Sequence, residues 1–189
     1  MTDSREQKRV LLAAGFKELL RQYPFQKISV KMITERAGIG RSAFYKYFAD
    51  KYELLGFVAE YWIMRKVDML LEEGMIDAGI ELLFRSILNE ADFFERAFAV
   101  TGQNSFEKSF GELLEKRIRR LLAEAPVMPP LPALLTLDNL ARYYSFGLTQ
   151  SIKAWLEHAR QGEVKDLIEA YIFLNEHSLS ELVWHRREQ

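Results

Sequence analysis

Cysteine is absent from all 189 residues of the chain. Disulfide bonds, thiolate nucleophiles and cysteine-ligated metals are therefore excluded. Long hydrophobic runs are also missing, because no apolar stretch approaches the roughly 18 residues that a membrane-spanning helix needs. The first ten residues, MTDSREQKRV, are polar and unlike a signal peptide. We therefore expect a cytoplasmic protein with no membrane partner.

Histidine is scarce as well. The chain has only His158, His177 and His185, and their spacing does not match a pair of metal ligands on a helix. Neither an HEXXH or EXXH motif nor a nucleophile motif is present. We expect no catalytic site, no cofactor and no metal, and therefore no enzyme.

The charge is distributed unevenly, although the net charge is only −1. Residues 1–51 hold eleven Lys or Arg against five Asp or Glu, whereas residues 52–189 hold fifteen against twenty-two. A basic segment joined to an acidic body is typical of a nucleic-acid reader, because cations displace counterions from phosphates. The alternative is chance clustering on a solvated surface.

Apolar residues recur at helical spacing along the whole chain, and no strand pattern appears. Pro24 ends the first run, Ser29 is placed to cap the second, and Gly38 supplies a permissive backbone after it. Four of the five prolines fall in 125–132, which predicts a loop, and Gly162 is expected to end the following helix. The sequence thus predicts an all-α fold of about nine helices, at 5–22, 30–37, 40–48, 51–72, 78–88, 93–100, 105–123, 133–161 and 164–185.

The segment ISVKMITERAGIGRSAFYKYFADKYELL, residues 28–55, predicts a helix-turn-helix. Its outward side chains suit DNA, because arginine pairs with a guanine edge and hydroxyl or ammonium groups meet phosphates. Lys51 begins the next helix, whose N-terminal amides are expected to hold one more phosphate. The predicted DNA-binding residues are Ser29, Arg41, Ser42, Tyr45, Lys46, Tyr47 and Lys51.

This segment resembles the TetR family of transcription regulators. AGIG at 37–40, AFY at 43–45, YF at 47–48 and KYEL at 51–54 follow the family pattern without a gap. Three positions depart from it: Gly40 replaces a frequent serine, Ser42 a common glycine, and Ala43 a threonine that often contacts phosphate. The resemblance implies a DNA-binding domain over 1–50, built of three helices, and a helical ligand-binding and dimerisation domain over 51–189.

The resemblance also implies a homodimer, a palindromic DNA operator and a small effector that releases a repressor from it. The aromatic content of the middle helices favours an apolar or aromatic effector. The predicted effector site consists of Trp62, Phe94, Phe98, Phe106, Phe110 and Tyr144. The predicted dimer interface consists of Tyr143, Gly147, Ile152, Trp155, Leu167, Tyr171 and Leu182.

The alternative is a helical ligand-binding or interaction protein that does not regulate DNA. In that case the basic run at 116–120 is a candidate site for an acidic partner, although such runs are more often solvated. The two interpretations differ in one test, because an adaptor or enzyme should tolerate Tyr45→Ala and Lys51→Ala without loss of activity.

Overall fold

The computed structural model describes residues 4–124, 132, 135–158 and 164–184, and within these ranges every regular element is helical. This confirms the predicted all-α class. None of the helices in the described ranges combines the length and the apolar character that crossing a membrane requires. The elements are α1 (Ser4–Gln22), a 3-10 turn (Phe25–Lys27), α2 (Val30–Arg36), α3 (Arg41–Phe44), α4 (Lys51–Ala59), a π-helical turn (Glu60–Met64), α5 (Arg65–Glu72), α6 (Ile76–Leu88), α7 (Ala91–Phe98), α8 (Phe106–Glu124), α9 (Leu137–His158), α10 (Val164–Glu176) and α11 (Leu179–Trp184).

The first three helices pack around a small aromatic core. Phe16 of α1 and Phe44 of α3 are fully buried, and Phe48 is 1% exposed. Ser29 caps α2, because its Oγ accepts a hydrogen bond from Met32 N at 3.2 Å. Gly38 then has a φ of 65°, which lets the chain leave α2 and enter α3. Local capping and turn residues thus fix the angle between the two short helices.

The predicted helix over 51–72 is one helical run interrupted by the π-helical turn at its centre. Its start is well capped, because Asp50 Oδ1 accepts from Tyr52 N and Glu53 N at 2.8 and 2.9 Å. Glu53 in turn accepts from Ala49 N at 2.6 Å. The extra residue in the π-helical turn shifts the register between α4 and α5.

The predicted last helix, 164–185, is wrong in its length, because α10 ends at Glu176 and α11 begins at Leu179. Ser178 and Glu181 form a reciprocal capping box: Ser178 N donates to the Glu181 carboxylate at 2.6 Å, and Glu181 N donates to Ser178 Oγ at 3.4 Å. This interruption and the π-helical turn explain why the described residues form eleven α-helices where the sequence predicts about nine helices. The predicted proline loop up to 131, Gly162 and His185 lie outside the described residues.

The N-terminal helices are joined to the remainder through α1. Helix α1 packs against α4 and α7 as well as against α2. Glu90, just before α7, pairs with Lys17 at 2.6 Å and with Arg21, and Arg65 pairs with Glu6 at 2.5 Å. The buried apolar residues form one continuous cluster that extends from α1 to α10. Helix α1 therefore contacts both α5 and α7 directly.

An ion pair between α8 and α9 should make stability depend on pH in acid. Glu107 accepts from Lys153 Nζ at 2.6 Å and from Gln150 Nε2 at 2.7 Å. These bonds lower the pKa of the Glu107 carboxyl from its ordinary 4.5. A lowered folded pKa stabilises the protein above the unfolded pKa, and the stabilisation is lost as pH falls through the folded value. Because this carboxylate is about a third exposed, we expect Glu107→Gln to cost only ~0.5 kcal/mol at neutral pH.

The check is urea unfolding of wild type and Glu107→Gln at pH 7 and near pH 3. The difference in unfolding free energy should shrink towards zero in acid, and the exposed control Glu112→Gln should show no such trend. An equal difference at both pH values would contradict the pairing.

Candidate nucleic-acid interface and effector cavity

Helix α3 and the turn after it present a row of polar side chains to solvent, while Phe44 holds the helix to the core. Arg41, Ser42, Tyr45 and Lys46 are all exposed, whereas Phe44 between them is fully buried. The aromatic ring of Tyr45 packs edge-on against Phe44 at 5.4 Å between centroids, which orients its hydroxyl outward. The buried anchor therefore fixes the position of the exposed row.

The two cations in this row are available to a ligand. Within the described residues, neither the Arg41 guanidinium nor the Lys46 ammonium forms an ion pair or a side-chain hydrogen bond. Tyr47 is half-buried and packs against the core, and Ser29 is exposed at the start of α2. The α-helical part of this segment is shorter than the predicted 40–48, because only 41–44 is α-helix and turns continue to Phe48.

Lys51 has a structural task that the sequence analysis missed. Its Nζ donates to the carbonyl oxygens of Phe25 and Ile28, both at 2.8 Å, and lies 4.3 Å from the centre of the Phe25 ring. Burial lowers the pKa of this ammonium. The expectation that the amides of this helix start hold a phosphate needs correction, because Asp50 already accepts from two of them. Lys51 retains one ammonium donor for a phosphate, and that contact stays a prediction.

Lys51→Met should therefore affect stability more than DNA binding. The substitution leaves the Ile28 carbonyl without its donor, which costs about 1–2 kcal/mol in unfolding free energy. The exposed control Lys31→Met should cost less than about 0.5 kcal/mol. Thermal or urea unfolding measures both losses.

DNA binding should respond differently to the two lysines. In a salt titration, Lys46→Met should flatten the slope of log affinity against log salt concentration by about 0.9, and Lys51→Met should flatten it by clearly less. A stable Lys51→Met protein with a flattened slope would show that Lys51 mainly serves phosphate.

The predicted effector residues need correction, because most of these rings fill the core. Phe98 packs edge-on against Phe106 at 5.1 Å, and Phe106 stacks on Phe110 at 5.4 Å. Phe94 is 2% exposed beside them, and Trp62 is half-buried under the Lys17 ammonium. Phe106 and Phe110 do reach a small cavity of about 220 Å³ between α1, α4 and α8.

A larger cavity of about 460 Å³ lies between α5, α6, α8, α9 and α10. This volume falls within the range of small-molecule sites. Of the predicted effector residues only Tyr144 lines it, and Tyr171 joins it from the predicted dimer interface. Gly79 lines it where α5 and α6 approach closely, since a Cβ there would lie 2.9 Å from Leu71 Cδ2. Its wall is mainly aliphatic: Met64, Val67, Leu71, Ile76, Ile80, Leu83, Leu114, Ile118, Leu121, Leu122, Leu148 and Ile172.

Arg117 forms a charged floor for this cavity. The side chain is only 9% exposed, and its Nε and Nη2 donate to the two carboxylate oxygens of Asp68 at 2.7 and 2.8 Å. A further bond reaches Glu60 in the π-helical turn at 2.9 Å. Although burial opposes the charge, these carboxylates hold the pKa of Arg117 above its ordinary value. The sequence contained a signal, because 106, 110, 114, 117 and 121 share one face of α8.

The predicted dimer interface is partly buried inside a single chain. Ile152 is 0% exposed and is removed from the interface, because no partner can cover it. Trp155 and Tyr171 both pack against Phe84, at 6.5 and 5.4 Å between ring centres. Leu167 and Leu182 are half-buried. By contrast, Tyr143 and Gly147 lie on the exposed side of α9.

Helices α9 and α10 also carry large apolar side chains that are exposed. Tyr143 is 74% and Phe146 66% exposed on α9, and Phe173 and Leu174 are 47% and 60% exposed on α10. We call these four residues the exposed apolar residues of α9 and α10. Large apolar side chains rarely gather on the surface of a monomer without a partner.

Comparisons with known proteins agree on one kind of protein. Residues 11–56 match the model of bacterial regulatory proteins of the tetR family, and residues 75–174 match that of a transcriptional regulator C-terminal region. An uncharacterised HTH-type transcriptional regulator of Haemophilus influenzae is 30% identical over 95 residues, and the match spans 46% of each chain, about half of that relative.

Solved structures show the same fold. FadR of Thermus thermophilus, a TetR family repressor in complex with lauroyl-CoA, superposes with a TM-score of 0.64 at 19% identity over 88% of this chain and 92% of the other. The dihydroxyacetone kinase operon activator DhaS gives 0.60 at 19% identity over 88% and 93%. NalD of Pseudomonas aeruginosa, the secondary repressor of a multidrug efflux pump, gives 0.52 at 17% identity over 87% and 94%.

Proposed function

We propose that this chain, which belongs to the TetR family of bacterial regulatory proteins, is a homodimeric transcription regulator that binds a near-palindromic operator on double-stranded DNA. The observation that carries this proposal is the exposed row on α3. Among the residues that the structure describes, Arg41 and Lys46 make no ion pair, and the buried Phe44 ring lies between them in sequence. A helix that offers free cations and hydroxyls on a fixed scaffold suits the major groove, where arginine reads guanine edges.

The proposed domains are residues 1–50, which bind DNA, and residues 51–189, which bind an effector and the second copy. The exposed apolar residues of α9 and α10 support the dimer, because a second copy related by two-fold symmetry would cover them. Such a dimer presents two copies of α3 to one side of the DNA, about one helical turn apart.

The effector is proposed to be a small, largely apolar molecule in the 460 Å³ cavity. The ligand of the Thermus FadR structure carries a long acyl chain, but at 19% identity that likeness concerns only the fold. Binding in the cavity is proposed to move α5 and α6, and α1 receives that movement through Arg65 and Glu90. For this chain we propose repression in the cytoplasm, release by the effector, and no catalysis.

Selection of binding sites from random double-stranded DNA tests the proposal. The purified full-length protein should enrich a near-palindrome over several rounds. A matched protein with Tyr45→Ala and Lys46→Ala should enrich nothing, since both side chains are exposed in the turn that follows α3. Enrichment by neither protein, with a folded wild type, would contradict DNA regulation and favour a ligand-binding protein of another kind.

A further inference from the structure

We propose that the effector is an amphipathic cation, an ammonium group attached to an apolar chain or ring system, whose charge is held at the mouth of the cavity by Asp77 and Glu176. The inference rests on the proposed function, because it names the class of molecule that the same cavity takes. Three features of the cavity carry it: the state of its one cation, the charge of its mouth, and the rings beside that mouth.

The floor of the cavity offers no positive charge to an anion. Arg117 is the one cationic side chain among the described lining residues. Its guanidinium is already bound by both oxygens of Asp68 and by Glu60, and it also donates to Leu113 O at 3.0 Å. A carboxylate or phosphate entering the cavity would therefore meet two carboxylates and a satisfied arginine. Desolvating such an anion without a partner is costly.

The mouth carries negative charge. Asp77, in the first turn of α6, and Glu176, the last residue of α10, both line the cavity and are both exposed. Helices α6 and α10 pack against each other, and the two carboxylates belong to residues that line the same cavity and are exposed. Neither carboxylate forms an ion pair or a side-chain hydrogen bond within the described residues. Both are therefore free to receive a cation.

Aromatic rings complete this end of the site. Tyr144 from α9 and Tyr171 from α10 line the cavity, and Tyr171 lies one turn before Asn175 and Glu176 on the same helix. Burial raises the pKa of the Tyr171 hydroxyl, so the ring stays neutral. A cation over the face of a tyrosine is attracted by the negative face of the ring, and more strongly the further the cation is desolvated. The aliphatic wall then accommodates the apolar remainder of the molecule.

The test compares three probes that share a decyl chain and differ in the head group: decyltrimethylammonium, decanoate and 1-decanol. Isothermal titration calorimetry of the full-length protein, below micelle-forming concentrations, should give an affinity for the ammonium about tenfold or more above that for decanoate. The double variant Asp77→Asn/Glu176→Gln should weaken ammonium binding about tenfold and change 1-decanol binding less than twofold. The control Asp92→Asn/Glu95→Gln, two exposed carboxylates on α7 away from the cavity, should change neither.

A cavity-filling variant separates failure of this inference from failure of the proposed function. Ile80→Trp occupies the aliphatic part and should abolish binding of all three probes. If decanoate binds as tightly as the ammonium and Ile80→Trp still abolishes binding, the cationic class is wrong and the effector site stands. If the ammonium preference persists in the double variant, the assignment to Asp77 and Glu176 is overturned. If no probe binds the wild type, both the class and the proposed effector cavity fail.

Discussion

Arg117→Met should lower the free energy of unfolding by about 3 kcal/mol, the largest stability loss that we expect from any charged residue of this chain. The substitution removes the guanidinium that donates three hydrogen bonds to carboxylates. Among the described residues, Glu60 then has no cationic partner and Asp68 keeps only Arg120, at 3.8 Å. Breaking a buried pair by deleting one partner costs more than the pair itself contributes. We expect a loss at the lower end of the range for broken buried ion pairs, because the Asp68 and Glu60 side chains are 22% and 40% exposed.

Urea unfolding of the full-length protein measures this loss. The matched control is Arg119→Met, on the same helix, whose arginine is 47% exposed and pairs with Glu115 and Asp138. The control should cost no more than about 1 kcal/mol. Adding Asp68→Asn to Arg117→Met should recover part of the loss, because without Arg117 the Asp68 carboxylate keeps only its longer contact with Arg120, at 3.8 Å. Equal losses of unfolding free energy in Arg117→Met and Arg119→Met would show that the ion pairs of Arg117 contribute no more than an exposed ion pair does.

Arg41→Ala should reduce affinity for the selected operator by about 10- to 100-fold and relax its sequence preference at one position of each half-site. A bidentate arginine–guanine contact is worth about 1–3 kcal/mol, and each 1.4 kcal/mol is a factor of ten. Because Arg41 is exposed and pairs with no other residue in the described part of the chain, the variant should unfold at the same temperature as the wild type.

Fluorescence anisotropy with the selected site and with single-base variants of it checks this prediction. Arg85→Ala removes an exposed arginine of α6 that pairs with Glu81, and it should leave affinity within about twofold. A uniform loss across all sequences would assign Arg41 to the phosphate backbone instead of a base.

The DNA-binding segment could be predicted because its signals are local. Ser29, Gly38 and Asp50 act on residues within a few positions, and the spacing of Phe44 and Phe48 already separates buried from exposed sides. Lys51 could not be predicted, because its two acceptors lie 26 and 23 residues earlier in the chain. Only the folded path of the loop after α1 brings those carbonyls to it.

The 460 Å³ cavity could not be located from the sequence. Aromatic content predicts rings as the lining of the site, yet Phe98, Phe106 and Phe110 pack against one another. Whether an apolar side chain fills or lines a space depends on how the helices are separated, and helical periodicity does not contain that distance. Two signals were present and missed: Arg117 falls on the apolar side of α8, and Ser178 with Glu181 spells a capping box.

The central claim is that two copies of α3 read one DNA site, and hydroxyl-radical footprinting of the full-length protein on its selected operator tests it most directly. The account predicts two protected segments, related by symmetry and about one helical turn or ~10 base pairs apart from centre to centre. Protection should disappear with Arg41→Ala at the same protein concentration. A single protected segment, or protection that survives in that variant, would contradict the account.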